Sequence, residues 1–152
     1  MGIYLQFVGT YQGALTMPKL SVWFVRASLI YMGFGFLFGS LILHHKGVPI
    51  YPWTWKLLNP HIELMIYGWT MQFVMGIAFW ILPRFTGKER YGKTNLGWWS
   101  FALLNGGLWL AILDVFAPGK LVMPGRVLIL GAVAFFVVMM WPRVKPLSDY
   151  HV

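Results

Sequence analysis

The chain has no cysteine, and Asp and Glu together supply four of its 152 residues. Without thiols there are no disulfides, iron–sulfur clusters, thiolate metal sites or covalent c-type heme attachment, so any metal or cofactor must rely on histidine, methionine or carboxylate. Charge of either sign is scarce, at 11% of residues against about 25% in ordinary soluble domains. No basic residue precedes the apolar positions of Met1–Met17, which argues against a secretory signal and leaves the first long apolar run as its own insertion signal. The start MGIYLQ also lacks the Ser or Thr that myristoylation expects at its sixth position. There is no phosphate loop, no HExxH and no nucleophile–base set, which removes the common hydrolase, transferase and metalloprotease classes.

Apolar residues dominate instead: 59% of the chain is hydrophobic and 18% aromatic. Four runs, at about residues 20–43, 61–82, 96–116 and 121–141, are long enough to cross a hydrocarbon core of roughly 30 Å at about 1.5 Å per residue. The expected fold is all-α: one domain over 1–152, an integral membrane four-helix bundle with the lipid bilayer as its surroundings. A net charge of +8 suggests nucleic acid at first sight, but the basic residues flank the apolar runs rather than forming a soluble face. Lys19, Arg26, Arg84, Lys88, Arg90, Lys93, Arg143 and Lys145 fall on one side, and Lys46, Lys56, Lys120 and Arg126 on the other. The positive-inside rule then places both termini in the cytoplasm, with Arg26 snorkelling back to that face. A bacterial or archaeal cytoplasmic (inner) membrane is the expected location.

The connections are short. Pro83 ends the second run and opens the charged loop PRFTGKERYGKTN, whereas residues 44–60 carry Tyr51, Trp53 and Trp55 as a headgroup-level aromatic belt. WILPRF closes run two and MWPRVK closes run four, a faint internal echo. Gly33, Gly35 and Gly39 in run one, Gly68 and Gly76 in run two, and Asn105, Gly106 and Gly107 in run three suit close helix packing in lipid, or room for a flat cofactor.

The second run begins with a lone imidazole in NPHIELMIYGWTMQF. Asn59 is placed to cap the helix, Pro60 suits its first turn and Glu63 the positive end of the dipole. The face through His61 continues to Leu64, Met65, Gly68, Gln72, Met75 or Gly76, and Phe79. Gln72 falls near mid-membrane, where an amide must face the bundle. His61 has two readings: an interfacial residue bonded to loop backbone, or an axial ligand to heme iron with Gly68 clearing space and aromatics such as Trp69 lining it.

His61, Gly68-Trp69, Gly76 and Leu82-Pro83-Arg84 together resemble the second transmembrane helix of the heme-copper oxidase subunit I superfamily, especially its short four-helix relatives. GKERYG after run two and WPRVK after run four extend the resemblance over about residues 20–145. It implies that His61 ligates heme b. The histidines of a dinuclear oxygen-reducing centre are missing, since His44, His45, His61 and His151 are the whole complement, so terminal oxidase activity is rejected.

For the sixth iron ligand, His45 or His44 at the end of run one, Met65 one turn along, His61 of a second protomer, or a position open to a gas all stay open. Lys46, Lys56 and Arg126 are placed to meet heme propionates or headgroups, and Arg84 and Arg143 to anchor in headgroups at the far face. Asp114 is expected to pair with Arg126 or to orient a histidine, and His151 to be solvated. Two function classes follow. One is a small b-type cytochrome for electron transfer or gas handling, as a homodimer or in a larger membrane complex with an unidentified redox partner. The other is a non-catalytic subunit of a respiratory or photosynthetic complex; a transporter ranks below both, since charges fall at the membrane edges.

Overall fold

The computed structural model describes residues 17–49, 51–83 and 91–144. Arg84, Lys88, Arg90, Lys145 and His151 lie outside the described residues. Among those described there are four long helices and no strand: α1 Lys19–Gly47, α2 Pro52–Ile81, α3 Thr94–Leu113 and α4 Val122–Met140, the last continued by a 3₁₀ turn Trp141–Arg143. Each is long and apolar enough to cross a membrane, which makes this an all-helical, multi-pass chain. We call the end carrying the α1–α2 and α3–α4 connections the upper end.

α1 runs four residues past its expected limit at Leu43. His44, His45 and Lys46 in its last turn suit the negative end of the helix dipole, and the Val48 N–H closes the helix on the His44 carbonyl at 2.9 Å. α2 also starts before Asn59, which is not its cap. Pro52 opens a 3₁₀ turn Pro52–Leu57, where a missing N–H leaves nothing unsatisfied, and the Thr54 hydroxyl donates to Tyr51 O at 2.7 Å. The exposed rings of Tyr51, Trp53 and Trp55 ride on this turn.

Within α2 an α-helical turn Leu58–Glu63 passes into a π-helical stretch Leu64–Met71 and then into α-helix Gln72–Ile81. The Thr70 hydroxyl bonds Met65 O at 2.9 Å, five residues back, in keeping with the wider turn. Leu64, Gly68, Gln72 and Gly76 are all buried. On a regular α-helix a spacing of four drifts by about 40° per step. The unwound stretch offsets that drift and keeps these residues on one face.

Two hairpins make the bundle. α1 lies on α2 through its glycines, and α3 and α4 meet backbone to backbone where a Cβ on Gly107 would stand 2.5 Å from Gly125 O. Leu104, Ile129, Ala132, Phe24, Met75 and Phe79 fill the shared core. Polar links cross the helices at mid-depth: Tyr31 Oη donates to Asn105 Oδ1 at 2.6 Å, and Ser100 Oγ to Ala132 O at 2.7 Å.

α4 is fastened to α2 at both ends. At the upper end Arg126 Nη2 donates to Glu63 Oε1 at 2.9 Å. At the lower end Arg143, expected among headgroups, is instead 1% exposed beneath the end of α2. Its Nε donates to Pro83 O at 2.9 Å, and Nη2 to Phe79 O at 3.0 Å and Leu82 O at 2.7 Å. The guanidinium carbon also lies 5.0 Å from the Phe79 ring centre. Orphan carbonyls and the negative dipole end, left where Pro83 stops the helix, explain why a cation is buried there. The second Pro-Arg pair of the sequence thus caps the helix that the first one ends.

Asp114 does not pair with Arg126. It closes the α3–α4 turn, with Oδ2 accepting from Gly119 N at 3.0 Å and Oδ1 from Leu121 N at 2.8 Å and Val122 N at 3.2 Å. Gly119 makes that tight return possible with a φ of 79°. The N–H groups of Gly119 and then Leu121 hold the Asp114 carboxyl below the usual carboxylate range. A depressed folded pKa means that the turn gains stability above the unfolded value of about 3.9 and loses it as pH falls through the folded value. The protection of the Gly119 and Leu121 amides, their exchange relative to the intrinsic rate at each pH, should therefore fall in acid in the wild type. In Asp114→Asn that acid-dependent change should be absent; an unaltered profile would rule the linkage out.

Candidate functional site

The glycines of α1 form the seat for the upper part of α2. A Cβ on Gly39 would lie 2.8 Å from His61 Cε1, and one on Gly35 would lie 2.5 Å from the Met65 sulfur. The GFLFG segment therefore receives His61 and Met65, one helical turn apart, in its two gaps. His61 is half-buried there, with Nδ1 2.8 Å from Gly35 O. A carbonyl can only accept, so Nδ1 carries the proton and Nε2 keeps its lone pair. That is the tautomer of a metal-ligating imidazole, whose other nitrogen is held by a backbone carbonyl.

His45 is held the other way round. It is buried rather than solvated, its Nδ1 accepts the Tyr51 N–H at 3.2 Å, and its ring meets Trp55 edge-on at 6.4 Å. The proton of the neutral ring is then on Nε2, leaving no lone pair for a metal. His45 also lies six residues beyond the Gly39 seat, about 9 Å along the axis. His44 is exposed. Met65 points into α1. Trp69 lies beside Phe36 of the GFLFG segment, ring centres 6.0 Å apart at 52°.

Gly68 does make room, but for protein. A Cβ there would come within 3.0 Å of Tyr31 and of Leu108, which fill the space. Among the described residues no group of three His, Cys, Asp or Glu is placed to hold a metal ion. Among the described residues the donor set fits a heme in one respect: the His61 ring has its Nδ1 proton on a backbone carbonyl and its Nε2 lone pair unused.

Several buried polar atoms were not legible as a group. Glu63 is 3% exposed although expected at the helix edge, and its Oε2 has no hydrogen-bond partner among the described residues. Gln72 is fully buried, and neither amide atom has a partner there; Ser21 Oγ is in the same position. Unpaired buried groups of this kind are rare in proteins, and each calls for a partner such as an ordered water or ion, or for a role of its own. For Glu63 the available signal was Arg126, a basic residue inside an apolar run that needs a counter-charge.

Searches against protein-family models, curated proteins and solved structures find no match to this chain.

Proposed function

We propose that the chain is a small membrane heme b protein in which His61 Nε2 is an axial ligand. The observation that carries this reading is the bond from His61 Nδ1–H to Gly35 O, which gives the ring the tautomer and orientation of a ligand. Heme bound there would supply one-electron transfer or gas binding; the protein's part is to hold the ring and exclude water. Gly35 and Gly39 do the holding. The termini lie on the cytoplasmic side of a bacterial or archaeal inner membrane, following the asymmetry of Lys and Arg between the connections. The resemblance to oxidase subunit I supports the same assignment, and the missing histidines keep it to electron transfer or gas handling. A second protomer, related by a two-fold axis, is the source of the sixth ligand that the single imidazole favours.

A second reading has one observation in its favour. Tyr31 and Leu108 occupy the place beside Gly68 where a cofactor within the bundle would lie, which suits a structural subunit without heme.

The deciding experiment is a reduced-minus-oxidised visible spectrum of detergent-purified protein after heme-replete expression. A sharp b-type band supports the heme reading. Colourless protein sinks it and leaves the structural subunit.

A further inference from the structure

Each hairpin is locked over its upper half by its own glycines. Gly107 and Gly125 bring α3 and α4 together backbone to backbone, and Gly35 and Gly39 of α1 receive Met65 and His61 of α2. Small residues at a helix contact let backbones approach closely in lipid, so each hairpin is a unit. Between the hairpins the packing is uneven. In the lower half Leu20, Phe24, Met75, Phe79, Leu104 and Met139, drawn from all four helices, share one core, and Arg143 binds the last carbonyls of α2. The upper half has gaps instead. A cavity of about 490 Å³ lies between α2 and the other hairpin at Pro60, Glu63, Ala111 and Arg126, and one of about 270 Å³ lies between α1 and α3 at Tyr31, Phe34, Leu64 and Trp109.

The ion pair that spans the upper gap is opposed from within. Arg126 Nη2 donates to Glu63 Oε1 at 2.9 Å, which draws the hairpins together. Glu63 Oε2, on the same carboxylate, is buried, has no donor among the described residues and faces no water-sized space. An oxygen so placed has lost its hydration without compensation, and it regains a partner only if the helices move. Arg126 is free to let go, because its side chain is 56% exposed and stays solvated when the bond breaks. One charged bond closes the gap and one bare oxygen opposes closure, the near balance that lets two states coexist.

We propose that the Glu63–Arg126 pair is the latch of a cleft: the α1–α2 and α3–α4 hairpins swing apart at the upper end about the packed lower core, which wets Glu63 and widens both cavities. The motion does not depend on heme, since His61 travels with α1 in its glycine seat.

The chain has no cysteine, so two introduced cysteines take spin labels uniquely. The test measures label-to-label distances by double electron–electron resonance on the full chain in nanodiscs. Leu43→Cys with Val127→Cys reports the upper end and Trp23→Cys with Val138→Cys the lower; each pair joins exposed positions on opposite hairpins. The otherwise unaltered chain should give two upper distances and one lower distance. Arg126→Ala should raise the ratio of long to short upper distance about tenfold, the effect of losing one charge-assisted hydrogen bond, and leave the lower distance unchanged. Glu63→Leu combined with Arg126→Leu removes the bare oxygen together with both charges and should leave the short upper distance alone. A single upper distance in the otherwise unaltered chain overturns the proposal even where Arg126→Ala fails to fold. An unchanged ratio in Arg126→Ala also overturns it, as does a lower pair that splits with the upper one, because the hinge requires the lower core to stay fixed.

Discussion

Arg143→Ala should lower the thermal unfolding midpoint of the detergent-solubilised protein by about 6–20 °C. The guanidinium is 1% exposed and donates to the carbonyls of Phe79, Leu82 and Pro83, where α2 has run out of its own donors. Hydrogen bonds involving a charged group each contribute about 1.5–3 kcal/mol, and they do not add. A net loss of about 3–5 kcal/mol is the scale for breaking such a buried arrangement. For a chain of this size about 1 kcal/mol moves the midpoint by about 2–4 °C. Arg143→Lys should fall between, because one ammonium cannot fork to three carbonyls. Arg26→Ala removes an exposed charge and serves as the control. If Arg143→Ala melts together with that control, the cap does not hold α4 to α2.

What the sequence made legible follows from how lipid simplifies the problem. Four apolar runs of spanning length were readable because hydrocarbon demands length and apolarity of every helix. The glycines were readable as packing positions, and Gly35, Gly39, Gly68, Gly76 and Gly107 do sit at helix contacts. Gly33 and Gly106 meet nothing within 4 Å, so small size alone did not say which face is used. The lower α2–α4 fastening was not readable. Arginine after an apolar run ordinarily snorkels to headgroups, and only the placement of α4 beside the end of α2 brings Arg143 under bare carbonyls. Glu63 escaped for a related reason: its partner is 63 residues away, and local spacing carries no information about such a pair. The π-helical stretch had no sequence signal, yet it tightens the alignment of Gln72 with Leu64 and Gly68 on the buried face that helical counting already indicated.

His61 and His45, both at the upper end, should answer mutation in opposite ways, and this tests the site more sharply than the presence of heme alone. Their neighbours assign them opposite protons: His61 Nδ1 faces a carbonyl that can only accept, and His45 Nδ1 faces an N–H that can only donate. His61→Ala should therefore abolish the b-type band, while His45→Ala should keep it and loosen the 3₁₀ turn that follows α1. Gly39→Val tests how the ring is held. Any Cβ there would press on Cε1 at 2.8 Å and on Nδ1 at 3.2 Å, so the ring must leave Gly35 O. Losing a partner that orients a ligand typically weakens binding by about 10–100-fold, and heme retention should drop accordingly. Gly33→Val, six residues away on an open face, should retain heme as wild type does. A band that survives His61→Ala but vanishes in His45→Ala would transfer the ligand to α1. Loss of the band in both would point to a bis-histidine site and require the Tyr51 N–H to release His45 when heme binds.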